Sequence, residues 1–216
     1  MDLSMFIIHK EFDYFHNFRN FILTSIENER VKKSLSWEEF KKGEGKNLDT
    51  TEQEYDYYVV DAHEEINETE QLFYKSYTVS IFMFLERQFA DLCSFIKENQ
   101  NLIFGYKDLR GNGIQRYVNY IEKTLEQPFP NIKHLNNKFR IALIVRNTIV
   151  HTNGELDSSR DKEEIIKYVK KESKNLTINN KRLLIKQEYI ENLTGTAQGI
   201  CGEINQIRKL LEKSLT

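Results

Sequence analysis

Residues 139–154 read FRIALIVRNTIVHTNG, an apolar segment that ends in a cluster of polar side chains. No glycine or proline interrupts it before Gly154, so the segment predicts a helix over residues 131–152. A helix that is apolar around most of its circumference is expected to lie inside the fold. Asn153-Gly154 is a typical signal for a left-handed turn that ends a helix.

The rest of the chain is equally poor in residues that break helices. Its 216 residues include two prolines and nine glycines, whereas average usage gives roughly 11 and 15. This composition excludes collagen-like and proline-rich chains, and it disfavours an all-β fold, which needs a turn signal every few residues. The sequence therefore predicts an all-α protein.

Apolar residues spaced three and four apart divide the chain into predicted helices. These cover residues 3–34, 65–100, 114–125, 131–152, 160–172 and 188–215. Residues 36–62 are polar and acidic, show no sustained period and predict a long excursion that contains Trp37. A short β-hairpin is expected near residues 175–187. The predicted fold is an up-and-down bundle of four to five helices with peripheral helices.

We expect residues 1–216 to form a single domain, because a chain of this length can bury a sizeable core. Within it, residues 1–62 form an N-terminal helix and polar loop extension, and residues 65–215 form the core bundle.

The last predicted helix carries glycines at positions 195, 199 and 202, on one face. Each costs about 1 kcal/mol relative to alanine in a helix. Two explanations are open: another helix approaches this backbone closely, or the first turns of the helix are loosely formed.

Charge and cysteine content favour a protein of the cytoplasm. The net charge of -2 gives no global attraction for polyanions, so RNA binding requires a local basic patch. Cys93 and Cys201 lie in apolar helical stretches and are interpreted as small buried hydrophobic residues. The N-terminal apolar run is too short for a signal peptide, and no membrane span is expected.

The end of the 131–152 helix holds the one group of residues with a chemical interpretation. Arg146 interrupts the apolar run, where an unpaired guanidinium is costly. Asn147 and His151 share a helix face, whereas Arg146 and His151 are about 140° apart around the axis. An arginine can stabilise charge on a phosphodiester, and a histidine can transfer the proton of a ribose hydroxyl. The structural alternative is that Arg146 pairs with an acid such as Glu86 and that His151 caps the helix.

The segment Arg146-Asn147-x-x-x-His151 resembles the R-x4-6-H motif of the HEPN (higher eukaryotes and prokaryotes nucleotide-binding) superfamily. Residues 149–154 continue the resemblance to its R-N-x-I-V-H-x-x-G segment, and residues 73–93 are similar to its long central helix.

The resemblance implies a homodimer and a metal-independent endoribonuclease that leaves a 2′,3′-cyclic phosphate and has no cofactor. It implies that Arg146, Asn147 and His151 of both subunits form the site. It also implies a role as a toxin or in anti-phage defence, including abortive infection. One subgroup carries a tyrosine two residues after the histidine for adenylylation by a partner; this chain has Asn153 there, which puts that control in doubt.

Three further readings accompany this one. Lys138, Arg140 and Arg116 are candidates for a local basic rim that binds RNA. Glu155 and Asp157 with His151 are a weak candidate for a metal site. The alternative functions are a non-catalytic helical dimerisation or RNA-binding module, and a toxin held by an antitoxin or defence-system partner that docks on residues 36–62.

Overall fold

The computed structural model describes residues 3–42, 52–111, 113–126 and 132–214, and these residues are predominantly helical. The helices are α1 (Leu3–Lys41), α2 (Glu52–Asn99), α3 (Gly113–Leu125), α4 (Ile132–Thr152), α5 (Lys162–Lys171) and α6 (Gln187–Ser214). A 3-10 turn spans Tyr106–Asp108, and strands β1 (Leu176–Asn179) and β2 (Arg182–Ile185) form an antiparallel hairpin. The predicted all-α bundle with a short hairpin is confirmed.

The chain divides into two compact units. The larger is formed by Met1–Phe12 with Tyr77–Thr216, and the smaller by Asp13–Ser76. Both α1 and α2 contribute residues to each unit. The single-domain organisation over residues 1–216 stays a prediction.

Helix α2 is the centre of the larger unit. Its side chains Tyr77, Phe82 and Phe89 are almost fully buried. Phe82 stacks on Phe139 of α4 with ring centroids 5.6 Å apart. The Tyr77 hydroxyl lies 3.2 Å from the Thr194 hydroxyl of α6. Aromatic packing of α2 against several neighbours therefore builds the core that holds α4 in place.

The smaller unit consists of the remaining parts of α1 and α2. Phe18 meets Phe73 edge to face at 5.8 Å. Arg30 donates to the Glu70 carboxylate at 2.7 Å. These contacts pair the two helices.

The predicted excursion over residues 36–62 is wrong for most of its length. α1 continues through Lys41, and α2 begins at Glu52, so Trp37 lies on a helix. No glycine or proline interrupts residues 52–62, so α2 extends through a segment that lacks an apolar stripe. Residues 43–51 of this segment lie outside the described residues.

Over residues 139–152, α4 is buried on one side only, unlike the fully enclosed helix that its apolar sequence predicts. Val145 is fully buried, whereas Arg140, Val150 and His151 are exposed. Its open side carries the candidate site.

The cysteine interpretation is confirmed. Cys93 and Cys201 are buried and free. Burial raises the pKa of each thiol to about 12, so both stay protonated at neutral pH. Among the helices of the described ranges, none has the length and apolar character needed to cross a membrane.

Candidate active site

The end of α4 has the geometry that Asn153-Gly154 predicts. Asn153 is left-handed, with φ +52°, and Gly154 has φ +90°. The Asn153 amide donates to the Ile149 carbonyl at 2.9 Å, and the Gly154 amide to the Thr148 carbonyl at 3.2 Å. Two consecutive left-handed residues therefore end the helix, and His151 lies in its last turn.

Arg146 lies between Glu86 of α2 and its neighbour Asn147. One guanidinium nitrogen, Nη2, is 3.8 Å from Glu86 Oε1, with the two side chains 22% and 31% exposed. Nη1 donates to Asn147 Oδ1 at 3.1 Å. Nε is buried and has no hydrogen-bond partner within the described residues. One N–H of the guanidinium is therefore uncommitted.

His151 is exposed, one turn beyond Asn147 on the same face of α4. Its side chain makes no hydrogen bond or ion pair with any residue that the structure describes. The structure thus brings Arg146 and Asn147 together and leaves His151 beside them, open to a ligand.

The sequence offers Glu86 as a structural partner for Arg146, and the structure pairs the two side chains. The Glu86 carboxylate also lies near Gly113. Oε1 lies 3.8 Å from the position that a Cβ at Gly113 would occupy. Gly113 begins α3 with φ +56°, a conformation that favours glycine. The start of α3, the middle of α2 and the end of α4 therefore converge on this carboxylate.

The β-hairpin supports the segment that follows His151, a role that sequence reasoning missed. The Leu183 amide donates to the Gly154 carbonyl and the Leu156 amide to the Lys181 carbonyl, both at 2.9 Å. The Thr148 and Ser159 hydroxyls are 3.0 Å apart. The sequence indicates the hairpin itself but carries no signal for what it packs against.

Glu155 and Asp157, which follow His151, form ion pairs with basic side chains. Arg182 Nε lies 3.1 Å from Glu155. Asp157 accepts hydrogen bonds from Lys162 and Lys181, and these hold the pKa of its carboxyl at about 2. In the part of the chain that the structure describes, no three potential metal ligands come together.

The predicted basic rim is only partly assembled. Arg140 is half-exposed and forms an ion pair with Glu164 of α5. Arg116 is partly buried, and its Nε has no hydrogen-bond partner within the described residues. The Lys138 side chain lies outside the described residues.

A surface cavity of about 510 Å³ lies beside the 3-10 turn and α3. Its lining includes Asp108 and Glu122 as well as Arg110 and Lys123. With charges of both signs in balance, the lining has no preference for an anion.

Comparison of the chain with protein-family models, with curated proteins and with solved structures finds no match in any of the three.

Proposed function

We propose that this protein is a metal-independent endoribonuclease of HEPN type, with Arg146, Asn147 and His151 as its catalytic residues. Two copies of the chain form a homodimer, and both copies contribute to the site. The substrate is single-stranded or loop RNA, and the setting is prokaryotic defence or a toxin role in the cytoplasm.

The observation that carries the proposal is the state of Arg146. Its side chain is 22% exposed and donates to Asn147, which shares a helix face with the exposed His151. A phosphate oxygen is a ligand that an arginine guanidinium binds well.

The chemistry needs only groups that this helix end supplies twice in a dimer. His151 of one copy removes the proton from a ribose 2′-OH, whose oxygen attacks the adjacent phosphorus. Arg146 stabilises the negative charge on the phosphorus oxygens. The 5′-oxygen leaves with a proton from a second acid, the histidine of the other copy. The products are a 2′,3′-cyclic phosphate and a 5′-hydroxyl.

Replacement of His151 tests the proposal. Purified His151→Ala protein should cleave a panel of single-stranded and structured RNAs about 10²–10⁴-fold more slowly than wild type, because a general acid or base is lost. The matched control is His9→Ala, which removes another exposed histidine. Equal cleavage by wild type and His151→Ala, or no cleavage by wild type, contradicts the proposal.

The Glu86 contact favours a second candidate function, a non-catalytic dimerisation or RNA-binding module. In that case Arg146 serves to join α4 to α2, and Arg146→Ala should lower the free energy of unfolding by about 1–3 kcal/mol, since the Glu86 carboxylate loses its partner. A catalytic Arg146 leaves stability largely unchanged while cleavage falls. Urea unfolding and cleavage assays on the same Arg146→Ala sample separate the two.

An antitoxin or defence-system partner remains part of the prediction. Purification of the complex from the native host tests it, because a stoichiometric partner is retained through size-exclusion chromatography.

A further inference from the structure

Three aromatic rings pack in series, as a stack, from the buried face of α2 to the partly exposed 3-10 turn. Phe89 of α2 is fully buried and lies parallel to Tyr117 of α3, at 3° with ring centroids 6.4 Å apart. Tyr106, in the 3-10 turn, packs on Tyr117 at a tilt of 55°, with ring centroids 4.8 Å apart. Both tyrosines are only partly buried. The outer ring of the stack, Tyr106, is therefore backed by a rigid support.

The stack adjoins the carboxylate that holds Arg146. Tyr117 lies one turn after Gly113 on the same face of α3, and Phe89 lies close to one turn after Glu86 on α2. Glu86 Oε1 faces both the Gly113 backbone and the Arg146 guanidinium. Burial raises the pKa of the Tyr117 hydroxyl, and the charge of Glu86 raises it further, which agrees with this proximity.

The tyrosines have features that internal packing does not require. The Tyr106 and Tyr117 hydroxyls make no hydrogen bond to any residue in the described ranges. The ammonium of the exposed Lys107 lies over the Tyr106 ring, 5.9 Å from its centroid, so a positive charge lies against this ring. Proteins that bind single-stranded nucleic acids combine such aromatic faces with positive charges, so that bases stack while phosphates are neutralised.

We propose that Tyr106, supported by Tyr117, is a stacking site for a nucleobase of the single-stranded RNA whose phosphate binds at Arg146. The proposal rests on the function proposed above and adds to it a base-dependent, sequence-tolerant contact beside the phosphate site. Arg116, whose Nε is uncommitted within the described residues, is placed near the same stack.

The test measures RNA binding rather than cleavage. The full-length His151→Ala protein is titrated against two fluorescein-labelled oligomers of equal length, one a mixed-sequence single-stranded RNA and the other its abasic ribose-phosphate counterpart. Adding Tyr106→Leu should weaken binding of the base-containing RNA about 5- to 150-fold, the range for loss of one stacked base, and leave abasic binding unchanged. Tyr106→Trp should restore binding.

Tyr14→Leu is the matched control, because Tyr14 is a 61% exposed tyrosine on α1. It should alter the affinity for neither oligomer. Equal losses on both oligomers in the Tyr106→Leu protein, or no loss on either, would overturn the stacking site. Failure to bind either oligomer before Tyr106 is changed would overturn it as well.

The cleavage and binding assays test the nuclease and the Tyr106 stacking site separately. If wild type cleaves RNA and Tyr106→Leu binds the base-containing oligomer normally, the stacking site is wrong and the nuclease stands. If wild type cleaves nothing but base-dependent binding is lost in Tyr106→Leu, the nuclease is wrong and the chain is an RNA-binding protein with this stacking site.

Discussion

Arg146 and His151, near the end of α4, differ in how their side chains are held. Arg146 is held by Glu86 and Asn147, while His151 has no such contact in the described residues. A fixed arginine and an open histidine suit a site in which the cation is preorganised and the acid or base must reach the substrate. The same fixed arginine also suits an interface, so the cleavage assay decides between them.

The lowered pKa of Asp157 predicts how the stability of the protein depends on pH. Because Lys162 and Lys181 hold its folded-state pKa near 2, below the ordinary value of 3.8, its carboxylate stabilises the fold above about pH 4 and loses that effect as the pH falls toward 2. Asp157→Asn should therefore lower the thermal midpoint at pH 7, by a small amount because the ion pairs are exposed.

Thermal unfolding of wild type and Asp157→Asn between pH 2 and 7 checks this. The gap between their midpoints should narrow below pH 4 and close near pH 2. A gap that is as large at pH 2 as at pH 7 contradicts the assignment of the low pKa to Asp157.

At the scale of elements, the glycines of α6 lack the explanation that their pattern favours. A Cβ at position 195, 199 or 202 meets nothing within 4 Å in the described structure. No other helix of this chain approaches them closely there, and α6 runs through all three without a break from Gln187. Their helical conformation costs stability with no compensating contact inside the described chain.

Alanine at these positions is therefore expected to stabilise the protein. Gly195→Ala and Gly199→Ala should each raise the free energy of unfolding by about 0.5–1 kcal/mol, measured by urea denaturation. Gly113→Ala is the contrasting variant, since φ +56° is strained for any residue with a Cβ, and it should destabilise. A loss of stability in Gly199→Ala that grows with protein concentration would instead show that a second chain packs on this face.

At the scale of the whole molecule, one chain holds one Arg146 and one His151, and the proposed reaction needs a general base and a general acid. A two-fold dimer supplies both from identical groups, because an isologous interface brings the same residues together twice. Composite sites make a distinctive prediction for mixed dimers.

One inactive chain should inactivate the whole dimer. Wild-type and His151→Ala chains, co-expressed with different tags and isolated as heterodimers, keep only one of the two histidines that the reaction needs as base and acid. Such heterodimers should cleave RNA about 10²–10⁴-fold more slowly than the wild-type dimer, because a general acid or base is lost. The wild-type dimer with the same two tags is the control, and heterodimers with about half of its rate would mean that each chain carries a complete site of its own.

A structural feature can be predicted from the sequence when the residues that set it are close together in the chain. Helix spacing, the hairpin near 175–187 and the stop at Asn153-Gly154 are set by residues close together in the chain, and the structure confirms them. The end of α1 and the start of α2 escape a prediction from periodicity, because periodicity detects an apolar face and these helix ends have none.

The sequence by itself determined the all-α class, the buried cysteines and the position of Arg146, Asn147 and His151 at the end of one helix. Only the tertiary structure decided that Arg146 pairs with Glu86, that the hairpin supports the segment after His151, and that Tyr106 packs on Tyr117. The physical reason is separation along the chain: Arg146 lies 60 residues from Glu86. Periodicity, propensity and capping act over a few residues, whereas packing selects which distant side chains meet.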